Sequence, residues 1–193
     1  MVETEEGVAA MMIRGEKVYL RPVHAADFPQ LVAWTNDPEI SRLMDGDYPT
    51  TLEECSDWHK SETGNRHSQR YALCTLSDGS LIGDIALDHI AWRSGDAELR
   101  IRIGEKSYWD KGYGQDSVNA LLDHAFSKMN LRRVYLRVFA FNKRAIRCYE
   151  KCGFRKEGRL RRTGPDGSPT WVYLMRLRKE EHAHLQSRRS ASA

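Results

Sequence analysis

Residues 98–103 read Glu-Leu-Arg-Ile-Arg-Ile, large apolar side chains alternating with charged ones. That is the two-residue period of a strand with one buried face. Further on the period changes. Val118, Leu121, Leu122, Ala125, Phe126 and Met129 fall at i, i+3, i+4, i+7, i+8 and i+11, which is one face of an amphipathic helix. Between the two patterns runs Trp109-Asp110-Lys111-Gly112-Tyr113-Gly114-Gln115-Asp116, so the expected unit is strand, glycine loop, helix. Other strands are predicted at 17–22, ended by Pro22, at 71–76 and 81–87 around the turn 77–80, at 133–139, and at 154–162 and 170–178 around the turn 164–168. Helices are predicted at 27–36, broken by Asn36-Asp37-Pro38, at 51–62 behind a Thr51 N-cap, and at 142–151 with Gly153 just past its end. Residues 39–47 have a loose pattern. The period fails at both termini, so residues 1–14 are expected to form a flexible arm, 15–178 a single domain and 179–193 a disordered tail.

The glycine loop has a chemical consequence. The first turn of a helix presents amide N–H groups without intrahelical partners, and glycines let a ligand approach the backbone closely. This makes a seat for a phosphate or pyrophosphate, although a plain turn into a helix would look the same. Gln115-Asp116 follows Gly114 where a nucleotide P-loop needs Lys and Ser or Thr, and Ser117 stands where a dinucleotide fingerprint needs a third glycine. Neither ATP nor NAD is supported.

The segment from Asn142 narrows the choice. Asn142, Ala145, Tyr149, Gly153 and Phe154 fit N-x-x-A-x-x-x-Y-x-x-x-G-F, and Gly112 and Gly114 fit the end of Q/R-x-x-G-x-G/A, with Trp109 in the place of Gln or Arg. Together these motifs closely resemble the GNAT superfamily of acetyl-CoA-dependent N-acetyltransferases. Trp109 in its Tyr-Trp-x-Lys-Gly-Tyr-Gly context is similar to the branch of the ribosomal-protein alanine acetyltransferases RimJ and RimL, and spermidine acetyltransferases share the layout. The resemblance covers about residues 15–178.

It implies an α/β (α+β) fold with a central, mixed but mostly antiparallel twisted sheet of about seven strands flanked by helices. It also implies acetyl-CoA as co-substrate, bound by the backbone of Ile101, Arg102 and Ile103, by amides from Trp109, Asp110, Lys111, Gly112, Tyr113, Gly114, Gln115 and Asp116, and by Asn142, Ala145 and Tyr149. The helix at 27–36 would lie near the acceptor site, and the helical region at 51–62 with the loop before it would form one wall of the acceptor cleft. Tyr149 would give the departing thiolate a proton; the alternative is a core aromatic. Glu98 is the candidate base, or else a solvated strand carboxylate or a ligand for a cationic acceptor. Arg100 and Arg102 either line the cleft, where they would favour an acceptor with a carboxylate or phosphate, or cover an exposed sheet face.

Composition adds limits. The 193 residues are 30% charged and 40% apolar, with a formal charge of +3, too small and too evenly spread to argue for nucleic acid. No apolar run is long enough to span a membrane, and the acidic start does not read as a signal peptide. A cytoplasmic enzyme is expected. Cys55, Cys74, Cys148 and Cys152 have neither zinc nor redox spacing, so they are read as free thiols and no metal is expected. His24, His59, His67, His89 and His124 are scattered singly and have no evident partner. The acceptor is a primary amine, either a protein amino terminus or a small molecule. A polyamine or aminoglycoside acetyltransferase is the nearest alternative, and a CoA-sensing or protein-binding module without turnover is the alternative of another class. Some relatives pair as dimers, so a homodimer is among the partners the resemblance implies.

Overall fold

The computed structural model describes residues 12–164 and 166–191. Among them eight strands form one sheet: β1 Ile13–Arg14, β2 Val18–Pro22, β3 Gln69–Thr75, β4 Leu81–Ala91, β5 Asp96–Ile103, β6 Arg133–Phe139, β7 Arg155–Thr163 and β8 Pro169–Arg178. Their order is β1-β2-β3-β4-β5-β6-β8-β7. Neighbours are antiparallel except β5 and β6, which are joined by a helical crossover and run parallel. The helices are α1 Phe28–Thr35, α2 Pro38–Ser41, α3 Leu52–Glu62, α4 Tyr113–Ser127, α5 Lys143–Lys151 and α6 Lys179–Ser190, with 3-10 turns at Ala25–Asp27 and Lys106–Tyr108.

The expected mixed sheet flanked by helices is present, with one strand more than the seven anticipated. The extra strand lies in the arm assigned to residues 1–14, where Ile13 and Arg14 pair with Leu20 and Tyr19. The rest of that arm, residues 1–11, lies outside the described residues. At the other end the expected disordered tail is a helix. α6 is fixed by His182 Nε2 to Asp123 Oδ1 (2.6 Å), by Glu181 accepting from the Arg178 N–H (3.0 Å), and by Leu185 beside Gly153. Its inner stripe is His182, Leu185 and Gln186, so it has almost no apolar period to read. α2 was also unread. Pro38 ends α1 but suits the first position of α2, and the Asp37 carboxylate caps that helix by accepting from the Glu39 and Ile40 N–H groups.

Two cores sandwich the sheet. The larger one packs the predicted face of α4, with Val118, Leu121, Leu122, Ala125 and Phe126 buried, against Leu99, Leu136, Met175 and Leu177 of the strands. The smaller one gathers Val23, Phe28, Leu31, Trp34, Ile40 and Cys55 under α1 and α3. On that second face the polar positions of β4 and β5 alternate with the core. Arg102 lies opposite Asp84, and Glu98 lies opposite Asp88.

One irregularity of the sheet creates the site. β5 pairs with β6 only at Asp96, Ala97 and Glu98. Beyond Glu98 the parallel strands part, because β6 continues in register with β8 to Phe139. The edge of β5 from Leu99 to Ile103 is therefore turned towards a gap, and α4 and α5 begin at its mouth.

Candidate active site

The gap opens into a cleft lined by Glu98, Leu99, Arg100, Ile101, Arg102 and Ile103 on β5, by the loop before α4, by Arg137, Val138 and Phe139 on β6, by α5 from Asn142, and by the α2–α3 segment around Asp45 and Tyr48. Twelve of the residues expected from sequence meet here: Glu98, Ile101, Arg102, Ile103, Trp109, Asp110, Gly112, Gly114, Gln115, Asn142, Ala145 and Tyr149.

The glycine loop turns as a ligand seat requires. Gly112 caps α4 at φ +85°, which a side chain would strain, and Asp110 also takes a left-handed φ of 58°. The Asp116 N–H closes the first helical turn onto the Gly112 carbonyl (3.0 Å), so the amides of Tyr113, Gly114 and Gln115 stand ahead of it at the helix start. Gly114 lies beside Ile103 and Cys148 in the cleft, and a Cβ there would take space next to both.

Three expected residues are not in the cleft. Lys111 gives its carbonyl to Lys17 Nζ (3.1 Å), and Tyr113 stacks edge-on against Tyr108 with ring centroids 4.9 Å apart. The Asp116 carboxylate accepts from the Glu16, Lys17 and Val18 N–H groups (3.0, 2.8 and 3.0 Å), so it ties α4 to β2. Trp109, the departure from the family pattern, donates its indole N–H to the Ile103 carbonyl (2.8 Å), and Arg144 lies over its ring at 3.5 Å from the centroid. That carbonyl is thus taken from the β5 edge that was expected to bind a ligand arm.

Arg144, Arg147 and Lys151 line the cleft from α5. They recur at i, i+3 and i+7 and so share a helix face, a signal present in the sequence but masked by the motif residues between them. With the amides of α4 they form a cationic and hydrogen-bonding surface suited to phosphates. The Asn142 Oδ1 caps α5 by accepting from the Ala145 N–H (3.1 Å), which explains the spacing of those two motif residues.

Tyr149 is 7% exposed and lines the cleft. Burial, reinforced by the neighbouring Cys148 and Tyr48, pushes its phenol far above its ordinary value, so the hydroxyl keeps its proton at all physiological pH values. Tyr48 is pushed up by burial too. Cys148 lies one turn from Cys152, and a hydrogen bond from Cys152 lowers its pKa.

Glu98 is 3% exposed. Its Oε1 accepts from Arg137 Nε (2.8 Å) and its Oε2 from Arg137 Nη2 (3.2 Å) and His89 Nδ1 (3.1 Å). Arg100 Nε lies 3.8 Å from Oε1, and Arg137 Nε is also 3.7 Å from Asp45 Oδ2. Asp45 Oδ2 and Arg100 Nε are buried without a hydrogen bond, and both residues face the cleft. Polar atoms left without a partner in such a place are available to water or to a polar ligand. Arg102, one of the two strand arginines, covers no exposed face. It turns inward to Asp84 Oδ1 (2.7 Å), Thr35 Oγ1 (2.8 Å) and the Leu31 carbonyl (3.3 Å). Arg137, His89, Asp45 and Tyr48 were not legible in the sequence, since each gains its place only from strand register and from a loop without period.

A sheet parted at one parallel strand pair, with a glycine-turned helix start and a buried phenol at the opening, is the framework of an acyl-CoA-dependent transferase. The family model described as Acetyltransferase (GNAT) domain matches residues 17–155, and the chain belongs to that family. It is an N-acetyltransferase with acetyl-CoA as its acetyl donor. Among similar proteins, the uncharacterized N-acetyltransferase p20 of Bacillus licheniformis is 26% identical over 172 residues, covering 87% of this chain and 96% of that one. The spermidine N(1)-acetyltransferase of Vibrio cholerae is 37% identical over 103 residues, 51% of this chain and 59% of the relative. A crystal structure of spermidine N-acetyltransferase from Vibrio cholerae with CoA and spermine superposes with a TM-score of 0.79 at 24% identity, over 86% of this chain and 98% of that one, a likeness of fold.

Proposed function

We propose that the acceptor is a single primary amine with a carbonyl or anionic group close by, as in a peptide or protein amino terminus, which is the acceptor type of the RimJ/RimL-like branch. One observation carries this reading: the acceptor end of the cleft is charge-balanced, with Arg100 and Arg137 facing Asp45 and Glu98. A polyamine brings several ammonium groups and calls for uncompensated carboxylates. Here each of the two carboxylates already has a guanidinium within ion-pair distance. Arg100 and the outer face of Arg137 suit the oxygen atoms of an acceptor, and Asp45 suits its nitrogen.

Acetyl-CoA supplies a thioester carbonyl that an unprotonated amine attacks directly when both are bound. On this reading Tyr149 donates a hydrogen bond to the departing sulfur, a task that fits a phenol held protonated by burial. The amides at the start of α4, with Arg144, Arg147 and Lys151, hold the phosphates, and Asn142 fixes the start of the helix that carries Tyr149. Four free thiols suit work in the reducing cytoplasm.

The test is thiol release from acetyl-CoA with peptides of different first residues, spermidine, an aminoglycoside and amino-sugar nucleotides. Peptides are expected to turn over best. Preference for spermidine would replace this reading by the polyamine one, which the similarity to the Vibrio cholerae enzyme favours.

A further inference from the structure

An ammonium group cannot attack a thioester, so some group must remove its proton. Glu98 is already met by three N–H donors, two from Arg137 and one from His89. A carboxylate only accepts, so in the 3.1 Å contact His89 donates from Nδ1, and in the neutral ring the lone pair is then on Nε2. Glu98 is 4% exposed in its side chain, whereas His89 is 63% exposed. The buried partner is thus the orienting group, and the imidazole is the one open to water.

The backbone is shaped for this pair. β4 and β5 are in register to Asp88 opposite Glu98 and again at Ala91 opposite Asp96, with a bulge between them. In a regular strand position 89 would share the core face of Leu87. The extra residue gives that place to Ile90, 1% exposed, and turns His89 out towards Glu98. His89 pays for this with a left-handed φ of 52°, where glycine is the usual residue of such a bulge.

Resting on the reading that an amine binds at the Glu98 end of the cleft, we propose that His89 Nε2 takes the acceptor's proton through water, with Glu98 holding the ring. The ammonium N–H breaks and an Nε2–H forms. The freed nitrogen pair attacks the thioester carbon, the C–S bond breaks and the CoA thiolate leaves. The second proton lost by the nitrogen ends on the sulfur as CoA thiol, and the imidazolium, stabilised by the Glu98 carboxylate, returns its proton to solvent. Several elements set the charges around the pair. β6 contributes Arg137 and Tyr135, with Asp45 behind Arg137. β4 and β5 contribute Asp88 and Arg100, 3.5 Å apart. The loop before β3 contributes His67, which holds the Ile90 carbonyl at 2.6 Å.

The decisive variant is His89→Gly, because glycine accepts the φ of this position and the bulge survives. Its kcat/KM is expected to fall about 100-fold with the acetyl-CoA Kd unchanged, and imidazole added to the buffer is expected to restore rate. A rate within twofold of the parent, or a loss that imidazole does not relieve, overturns the proposal. A second measurement needs no turnover. Ring-nitrogen NMR shifts of the parent enzyme should show His89 as the Nδ1–H tautomer and should move in Glu98→Gln, whereas an Nε2–H tautomer overturns the pairing. A parent enzyme silent on every amine would sink the acceptor reading, and the nitrogen shifts would still decide the pair.

Discussion

Tyr149 holds its proton because burial disfavours the phenolate, and Cys148 and Tyr48 disfavour the anion further. The same packing makes a clean experiment available. The ring lies edge-on to Phe154 with centroids 6.0 Å apart, and Tyr149→Phe keeps that contact while removing only the hydroxyl. The variant is expected to lose about 100-fold or more in kcat, with acetyl-CoA affinity by calorimetry within twofold of the parent. Unchanged kcat would make Tyr149 a core aromatic and no more. This residue was legible because its motif is local: Asn142, Ala145 and Tyr149 share one helix, and their spacing is the helix's own. His89 and Arg137 were not legible, because what they do depends on Glu98 standing opposite Asp88 on one side and Tyr135 on the other. No periodicity within one strand reports a register between strands.

The ends of elements explain the rest of that motif. α5 stops with the Gly153 N–H on the Glu150 carbonyl (3.0 Å) and the Phe154 N–H on the Tyr149 carbonyl (3.0 Å), with Gly153 at φ +98°. This is a Schellman cap, and the Tyr149–Phe154 ring contact is its hydrophobic closure. Gly-Phe after Tyr is therefore a device for fixing the turn from which the phenol projects. Gly153→Ala should lower stability by about 1–2 kcal/mol, the cost of a left-handed non-glycine residue, and should also press on Leu185 of α6, whose Cδ1 stands where the new Cβ would go. Urea unfolding would register the loss, and an unaltered midpoint would mean the cap contributes nothing. The same scale shows where sequence patterns fail. Helices with a wide apolar stripe, such as α4, were read from their period, and α3 from its Thr51 cap. α6 escaped because its inner face is held by polar contacts, and α2 because one turn of helix is too short to show a period.

Across the whole molecule, α1 and α3 are fastened to the sheet by charge as well as by apolar packing. Arg102 binds Asp84 on β4 and reaches Thr35 and the Leu31 carbonyl of α1, while Arg70 joins Asp84 and Asp88 to Glu62 of α3. Arg102→Met should cost about 3 kcal/mol, the lower end for breaking a buried pair because Arg70 still holds Asp84, and adding Asp84→Leu should recover part of it. Equal losses in the single and double variants would contradict this coupling. A second ionic tie makes part of the fold's stability depend on pH. Burial alone would raise the Asp27 carboxyl, but the Arg21 guanidinium at 2.7 and 2.8 Å and the His24 N–H at 2.8 Å outweigh it and hold the group below its ordinary range. A carboxyl whose folded pKa is depressed adds stability that is present above its unfolded value, about 3.9, and is lost as pH falls through the folded one. Asp27→Asn should therefore be less stable than the parent at pH 7, and the difference should shrink as urea titrations are moved from pH 5 towards pH 2. A gap that stays constant over that range would mean that the tie between β2 and the start of α1 acts through shape, and that its charge contributes nothing.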